Sequence, residues 1–137
     1  MRISTATKFS PQVESRLRDE QVIWLTTVRA DGTPEPNPVW FYWDGSSFLI
    51  QGKRGSHKLE HIARDPHVAL NFNSDEHGGD VVVFTGDARI ESTTDPVDPA
   101  FLAKYQTGIQ QIGLTPEGFA RDYGVRIRVT PTNLRAQ

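Results

Sequence analysis

The chain contains no cysteine. Disulfides, thiolate nucleophiles and cysteine-ligated metal centres are thereby excluded. No apolar run approaches the roughly 20 residues that a membrane-crossing helix needs. Met1 to Ser10 lacks the apolar stretch of a secretory signal, and the default location is the cytoplasm. A basic excess is also missing: 15 Lys and Arg stand against 17 Asp and Glu, for a net charge of −2. A surface built for general binding to nucleic acid or anionic membrane needs that excess, so any phosphate recognition must come from a local cluster. Neither a G-x-G-x-x-G fingerprint nor a G-x-S-x-G elbow occurs, and no internal repeat or linker is visible. What remains is 137 residues with 36% hydrophobic and 23% charged content. That suffices for a single domain over residues 1–137 with one core.

The pattern along the chain is mainly that of strands. A first short helix is expected after Ser10, with Pro11 in its first turn and Val13 and Leu17 on one face. Val22 to Arg29 is β-branched and apolar, as a buried strand should be. After the turn Ala30-Asp31-Gly32, Pro36 to Trp43 and Ser47 to Gln51 form a hairpin about Asp44-Gly45. Pro36 and Pro38 point to a sheet edge, since proline donates nothing to a ladder. His57 to about Arg64 is a short helix stopped by Asp65-Pro66. Two strands follow, His67 to Asn73 and Asp80 to Glu91. One helix from Asp98 to about Ile112 and another from Pro116 to Asp122 precede a last strand. There Val125, Ile127 and Val129 alternate with Arg126, Arg128 and Thr130. The implied fold is α+β, a six-stranded barrel with short peripheral helices rather than a parallel nucleotide-binding sheet.

The chemistry concentrates between Val39 and Arg64. An aromatic-rich strand leads through a hairpin to the loop Gly52-Lys53-Arg54-Gly55, then to a helix start that Ser56 can cap. Free N–H groups and the positive end of the helix dipole favour phosphate there. Lys53, Arg54 and Lys58 add full charge, and Ser56 adds a hydroxyl. Trp40, just before the hairpin, could flank a flat ring. A phosphorylated heterocycle would fit; so would a solvated loop with a few surface cations. His57-Lys58-Leu59-Glu60-His61 also spells H-x-x-E-H, an inverted zinc-site pattern. The brief helix and the lack of a downstream helix with a third carboxylate ligand argue against zinc. Arg126 and Arg128 are either solvated or poised at a dimer seam or an anionic ligand.

Several segments together resemble the pyridoxamine 5′-phosphate oxidase-like split β-barrel superfamily, and within it the actinobacterial F420-dependent reductases. They are Gln21 to Val28, Asp31-Gly32-Thr33-Pro34, Asn37-Pro38-Val39-Trp40-Phe41, Lys58 to Val68, Gly79 to Gly86 and Val125 to Leu134. The resemblance spans nearly the whole chain in order. It implies a homodimer with two cofactor sites at the subunit interface. It implies that the strand carrying Pro38, Val39, Trp40 and Phe41 lies along the cofactor ring. It also implies that Lys58 meets the phosphate with Lys53, Arg54, Ser56 and His57 nearby. His61 stands where relatives often carry a polar amide. FMN-binding relatives typically show Ser-Arg-Lys where this chain has Ser56-His57-Lys58, so the resemblance favours coenzyme F420, with FMN the alternative. The implied activity is hydride transfer from reduced deazaflavin to a small conjugated or heteroaromatic molecule. An FMN-dependent oxidoreductase and a non-catalytic carrier are the competing readings. No residue is assigned as proton donor.

Overall fold

Ser10 accepts a hydrogen bond from the Val13 amide and opens α1 (Pro11–Asp19), whose Val13 and Leu17 are buried. The computed structural model describes residues 1–137. Seven strands follow: β1 (Ile23–Val28), β2 (Pro34–Val39), β3 (Tyr42–Trp43), β4 (Phe48–Gly52), β5 (His67–Asn71), β6 (Val82–Ser92) and β7 (Val125–Ala136). They form one sheet in the order β2-β1-β5-β6-β7-β4-β3, with every neighbour antiparallel. The helix α2 (His57–Arg64) links β4 to β5. Three more, α3 (Pro99–Lys104), α4 (Gln106–Gln111) and α5 (Pro116–Asp122), lie between β6 and β7. No helix is long and apolar enough to cross a membrane.

The α+β, mainly β fold class is as expected, but the sheet has seven strands rather than six. The difference lies in Pro36–Trp43, which is not one strand. Up to Val39 the chain pairs with β1; from Tyr42 it pairs with β4. These two pieces sit at opposite ends of the strand order. From Val39 to Tyr42 an extended chain reaches at most about 11 Å. The two edges of the sheet must therefore meet there, and the sheet curls into a barrel. Pro34, Pro36 and Pro38 alternate on the exposed side of β2, where a missing N–H costs no ladder bond.

The second departure sits against this joint. The expected helix Asp98–Ile112 is broken at Tyr105, whose φ of −106° and ψ of 15° end α3 and begin α4. The Tyr105 hydroxyl accepts from the Phe41 amide at 2.8 Å, and Gln21 O at 2.7 Å and Phe41 O at 2.9 Å offer acceptors for its proton. The Lys104 ammonium donates to the Phe41 carbonyl at 3.0 Å and lies 3.7 Å from the centre of the Phe41 ring. Helical periodicity carries Phe101, Tyr105 and Ile109 inward, but a phenol reaching back to the strand break interrupts the backbone.

The core is correspondingly double. One cluster of 17 buried residues fills the barrel, among them Ile23, Leu25, Phe41, Phe48, Ile50, Phe84 and Ile127. A second, of Val97, Phe101, Tyr105, Ile109 and Phe119, lies under the helices and takes Trp40 and Tyr42 from the joint. At the β6–β7 register shift a Cβ on Gly86 would overlap the Thr130 carbonyl, so only glycine lets the strands approach.

Two outcomes are expected. Tyr105→Phe leaves the buried Phe41 amide without its acceptor and should lower the unfolding free energy by about 1–3 kcal/mol in urea titrations. Burial pushes the Lys104 amine down from 10.5 to about 8. Between these values the unfolded chain binds more protons, so stability should rise with pH through that window. Burial holds the Tyr105 phenol above its ordinary 10.0, which reverses the trend above that pH. Unfolding curves at pH 7.5, 8.5 and 9.5 check the sign, and Lys104→Met should flatten the rise.

Candidate functional site

The break at Trp40-Phe41 leaves a cavity of about 330 Å³ between barrel and helices. Such a volume is at the small end for a ligand pocket. Pro38, Val39 and Trp40 form one wall, and Gln51 of β4 faces it. Ile112, Phe119 and Tyr123 close the helical side. The aromatic rings there run nearly parallel. Trp40 lies 5.9 Å from Phe119 at 18°, and Phe119 lies 4.9 Å from Tyr123 at 16°. Behind them Trp40 stacks on Tyr105 at 4.6 Å and 4°. A Cβ on Gly108 would come within 3.2 Å of the Trp40 ring, so a small residue there gives the indole its place.

The other end of the cavity is polar and cationic. Lys53, Ser56 and Lys58 line it, and Gln51 is anchored by donating to the Tyr123 carbonyl at 2.7 Å. The Lys53 ammonium lies 5.5 Å from the centre of the Tyr123 ring. Lys58 is half-buried, and desolvation lowers its amine below the ordinary lysine range with no carboxylate to offset it. Ser56 has the backbone of an N-cap, with φ −68° and ψ 147°, yet its hydroxyl makes no capping bond. That oxygen is buried and has no hydrogen-bond partner at all. Buried polar atoms without partners are rare. Here the orphan lies beside an unpaired ammonium at the start of α2, the arrangement an incoming oxyanion would satisfy.

Six of the residues singled out in the sequence thus share one cavity: Pro38, Val39, Trp40, Lys53, Ser56 and Lys58. Four do not line it. The Phe41 side chain is wholly buried in the barrel core, on the same side of the chain as Val39 and Trp43 and opposite to Trp40. Arg54 is exposed and donates to the Thr93 carbonyl at 2.7 Å. His57 is exposed on the first turn of α2. His61 is buried, its ring nitrogens directed at Thr27 and Glu35. Ser56, expected as a cap, makes no capping bond; it lines the cavity with its hydroxyl covered and unpartnered. Arg126 and Arg128 are occupied by carboxylates: Arg126 pairs with Asp95 at 2.6 Å, and Arg128 with Glu91 at 2.5 Å and Asp44 at 2.8 Å.

Gln51 was not foreseen, and Ile112, Phe119 and Tyr123 were expected only as part of a segment from Tyr105 to Tyr123 that shapes the pocket. Gln51 had a signal, as the one amide in the apolar run Phe48–Gly52. Phe119 and Tyr123 had a weaker one, lying four apart on one helical face. A larger groove of about 780 Å³ runs over the outer sheet face past Thr26, Ala69 and Thr85. It has no unpartnered buried polar atom, so the smaller cavity is the better candidate.

Residues 9–137 match the family model described as pyridoxamine 5′-phosphate oxidase. The chain belongs to this family, whose fold is the split β-barrel described above. Among solved structures it is similar to an F420 reductase at 29% identity and a TM-score of 0.70, covering 90% of this chain and 96% of that one. A FAD-binding protein from Mesorhizobium loti shares the fold at 14% identity and a TM-score of 0.65, over 90% of this chain and 87% of that one. HutZ, the heme storage protein from Vibrio cholerae, shares it at 14% identity and a TM-score of 0.67, over 95% of both chains. No curated protein matches the chain.

The missing cap bond makes a prediction about stability. Ser10→Ala removes a hydroxyl that the Val13 amide uses and should cost about 1 kcal/mol. Ser56→Ala removes none and should stay within about 0.5 kcal/mol of the parent. Urea unfolding of the two variants side by side tests the contrast.

Proposed function

We propose that the protein is an F420H2-dependent reductase acting on a small conjugated or heteroaromatic molecule. The observation that carries this reading is the pairing of the orphan Ser56 hydroxyl with the half-buried, unpaired Lys58 at the start of α2. They face the Pro38–Trp40 backbone across a cavity with an aromatic wall. A phosphate bound at one end would lay an attached ring against the other. Of the two lysines at that end only Lys58 is half-buried, while Lys53 is exposed and Arg54 is turned to Thr93. That cation set suits the single charge of a phosphodiester better than a terminal dianion, which favours F420 over FMN. The similarity to an F420 reductase supports the same choice.

Bound there, the reduced deazaflavin supplies a two-electron hydride. The chain's own residues have simpler tasks. Ser56, Lys58 and the first N–H groups of α2 hold the phosphate. The backbone of Val39 and Trp40 would lie along the ring. Trp40, Phe119 and Tyr123 would offer flat apolar surfaces to a flat substrate. Ile112 is 49% exposed at the margin of this wall. An apolar side chain so placed supports a homodimer in which a second copy completes the site. A cysteine-free chain of this kind is at home in the cytoplasm.

Fluorescence titration with F420 and with FMN tests the cofactor. Lys58→Ala should weaken F420 binding by about 1.5–3 kcal/mol, tenfold or more. Tight FMN binding without F420 binding would overturn the assignment. With reduced F420 bound, its absorbance should change on adding enones or quinones. Binding without oxidation of any acceptor would indicate a carrier.

A further inference from the structure

Buried polar side chains are scarce in this protein, and two of them face each other. Thr27 is 1% exposed and His61 6%, with Ser47 the third of the kind. The Thr27 hydroxyl lies 2.9 Å from Nδ1 of His61. On the far side of the ring, Nε2 is 3.6 Å from Oε2 of Glu35. That oxygen is covered and has no hydrogen-bond partner, although the Glu35 side chain as a whole is 39% exposed. Thr27 and Glu35 are direct cross-strand partners in the β1–β2 ladder, so their side chains share one face. The imidazole of α2 is set over that pair.

The placement bears on the cavity. His61 follows Lys58 by three residues, which puts the two on neighbouring parts of one helical face. Glu35 begins the stretch of β2 that ends in the cavity wall at Pro38 and Val39. The start of α2 has no side-chain cap. Its far end is held separately, by Arg64 donating to the Val28 carbonyl at 2.6 Å. The His61 contacts are therefore the polar link between the cationic end of the cavity and the strand opposite it.

We propose that Thr27, His61 and Glu35 form a buried polar tie that sets the position of the α2 start relative to β2, making His61 a positioning residue for the anion-binding end of the cavity. His61 does not touch the ligand; it acts through the helix that carries Lys58. The effect on ligand affinity rests on the cofactor reading above, whereas the tie itself is measurable in the ligand-free protein.

Amide hydrogen exchange on the ligand-free protein comes first. His61→Leu keeps the bulk and removes both contacts. Exchange at the hydrogen-bonded amides of Leu59, His61 and Ile62 should quicken about five- to tenfold, the change expected from losing one buried hydrogen bond. Amides of Ile50 and Ile127 should not change. His61→Asn, whose side-chain amide stands where Nδ1 does and can still meet the Thr27 hydroxyl, should recover much of the protection. If His61→Leu does not fold, Thr27→Val carries the same expectation, since it removes only the hydroxyl. Turnover measured over a range of reduced F420 concentrations then reads the consequence: a KM for F420H2 raised several-fold with kcat at saturation retained. Unchanged exchange in α2, or equal acceleration throughout the barrel, would overturn the proposal. A local exchange change in a protein that binds neither F420 nor FMN would leave the tie standing and remove the cofactor reading.

Discussion

The peptide group of Phe41 is where this molecule closes. Its N–H donates to the Tyr105 hydroxyl, while its carbonyl receives the Lys104 ammonium and lies in reach of the same hydroxyl. On one side the chain leaves β2 at one sheet edge; on the other it enters β3 at the opposite edge. A peptide between two pairing partners has no ladder of its own, and a buried amide without a partner is costly. Tyr105 and Lys104 meet that need. The same contact docks the helical layer, breaks its first long helix, and stacks Trp40 on Tyr105. Barrel closure, helix placement and cavity wall thus share one origin.

Charge is distributed with a consistent logic around this frame. Arg16, Arg126 and Arg128 are all matched by carboxylates, as expected of partly buried guanidinium groups. Lys58 is desolvated and has no such match. The exception coincides with the orphan hydroxyl of Ser56. Glu35 Oε2 and Arg126 Nε are also covered without a hydrogen-bond partner, but each of those side chains has an ionisable partner nearby. At Ser56 and Lys58 an orphan hydroxyl and an unpaired ammonium line one cavity, as is usual where a protein reserves groups for something it binds.

Much of the fold was legible because its signals are local. The apolar, β-branched run of Val22 to Arg29 and the period-two alternation of Val125, Ile127 and Val129 need no tertiary knowledge. The caps at Ser10, Asp98 and Thr115 accept amides of their own first turns. The strand break after Val39 was hidden because Pro36–Trp43 is uniformly suited to extended backbone, and the break reflects a change of partner. The helix break at Tyr105 was hidden because its apolar spacing continues unbroken from Phe101 to Ile109.

The candidate site divides along the same line. The sequence by itself determined the cationic loop, the helix start at Ser56 and the aromatic strand, since residue type and spacing specify each of them. It also carried the family resemblance across nearly the whole chain. Only the tertiary structure decided which side chains face the cavity. Phe41 points into the barrel with Val39 and Trp43, while Trp40 and Tyr42 point to the helices, because the period-two alternation runs on through the change of strand partner. His61 met Thr27 and Glu35 because strand register set those two side by side. Phe119 and Tyr123 reached the wall because a helical layer far along the chain docks on the joint at Phe41. Such contacts depend on register and docking between distant segments, and no local pattern encodes them.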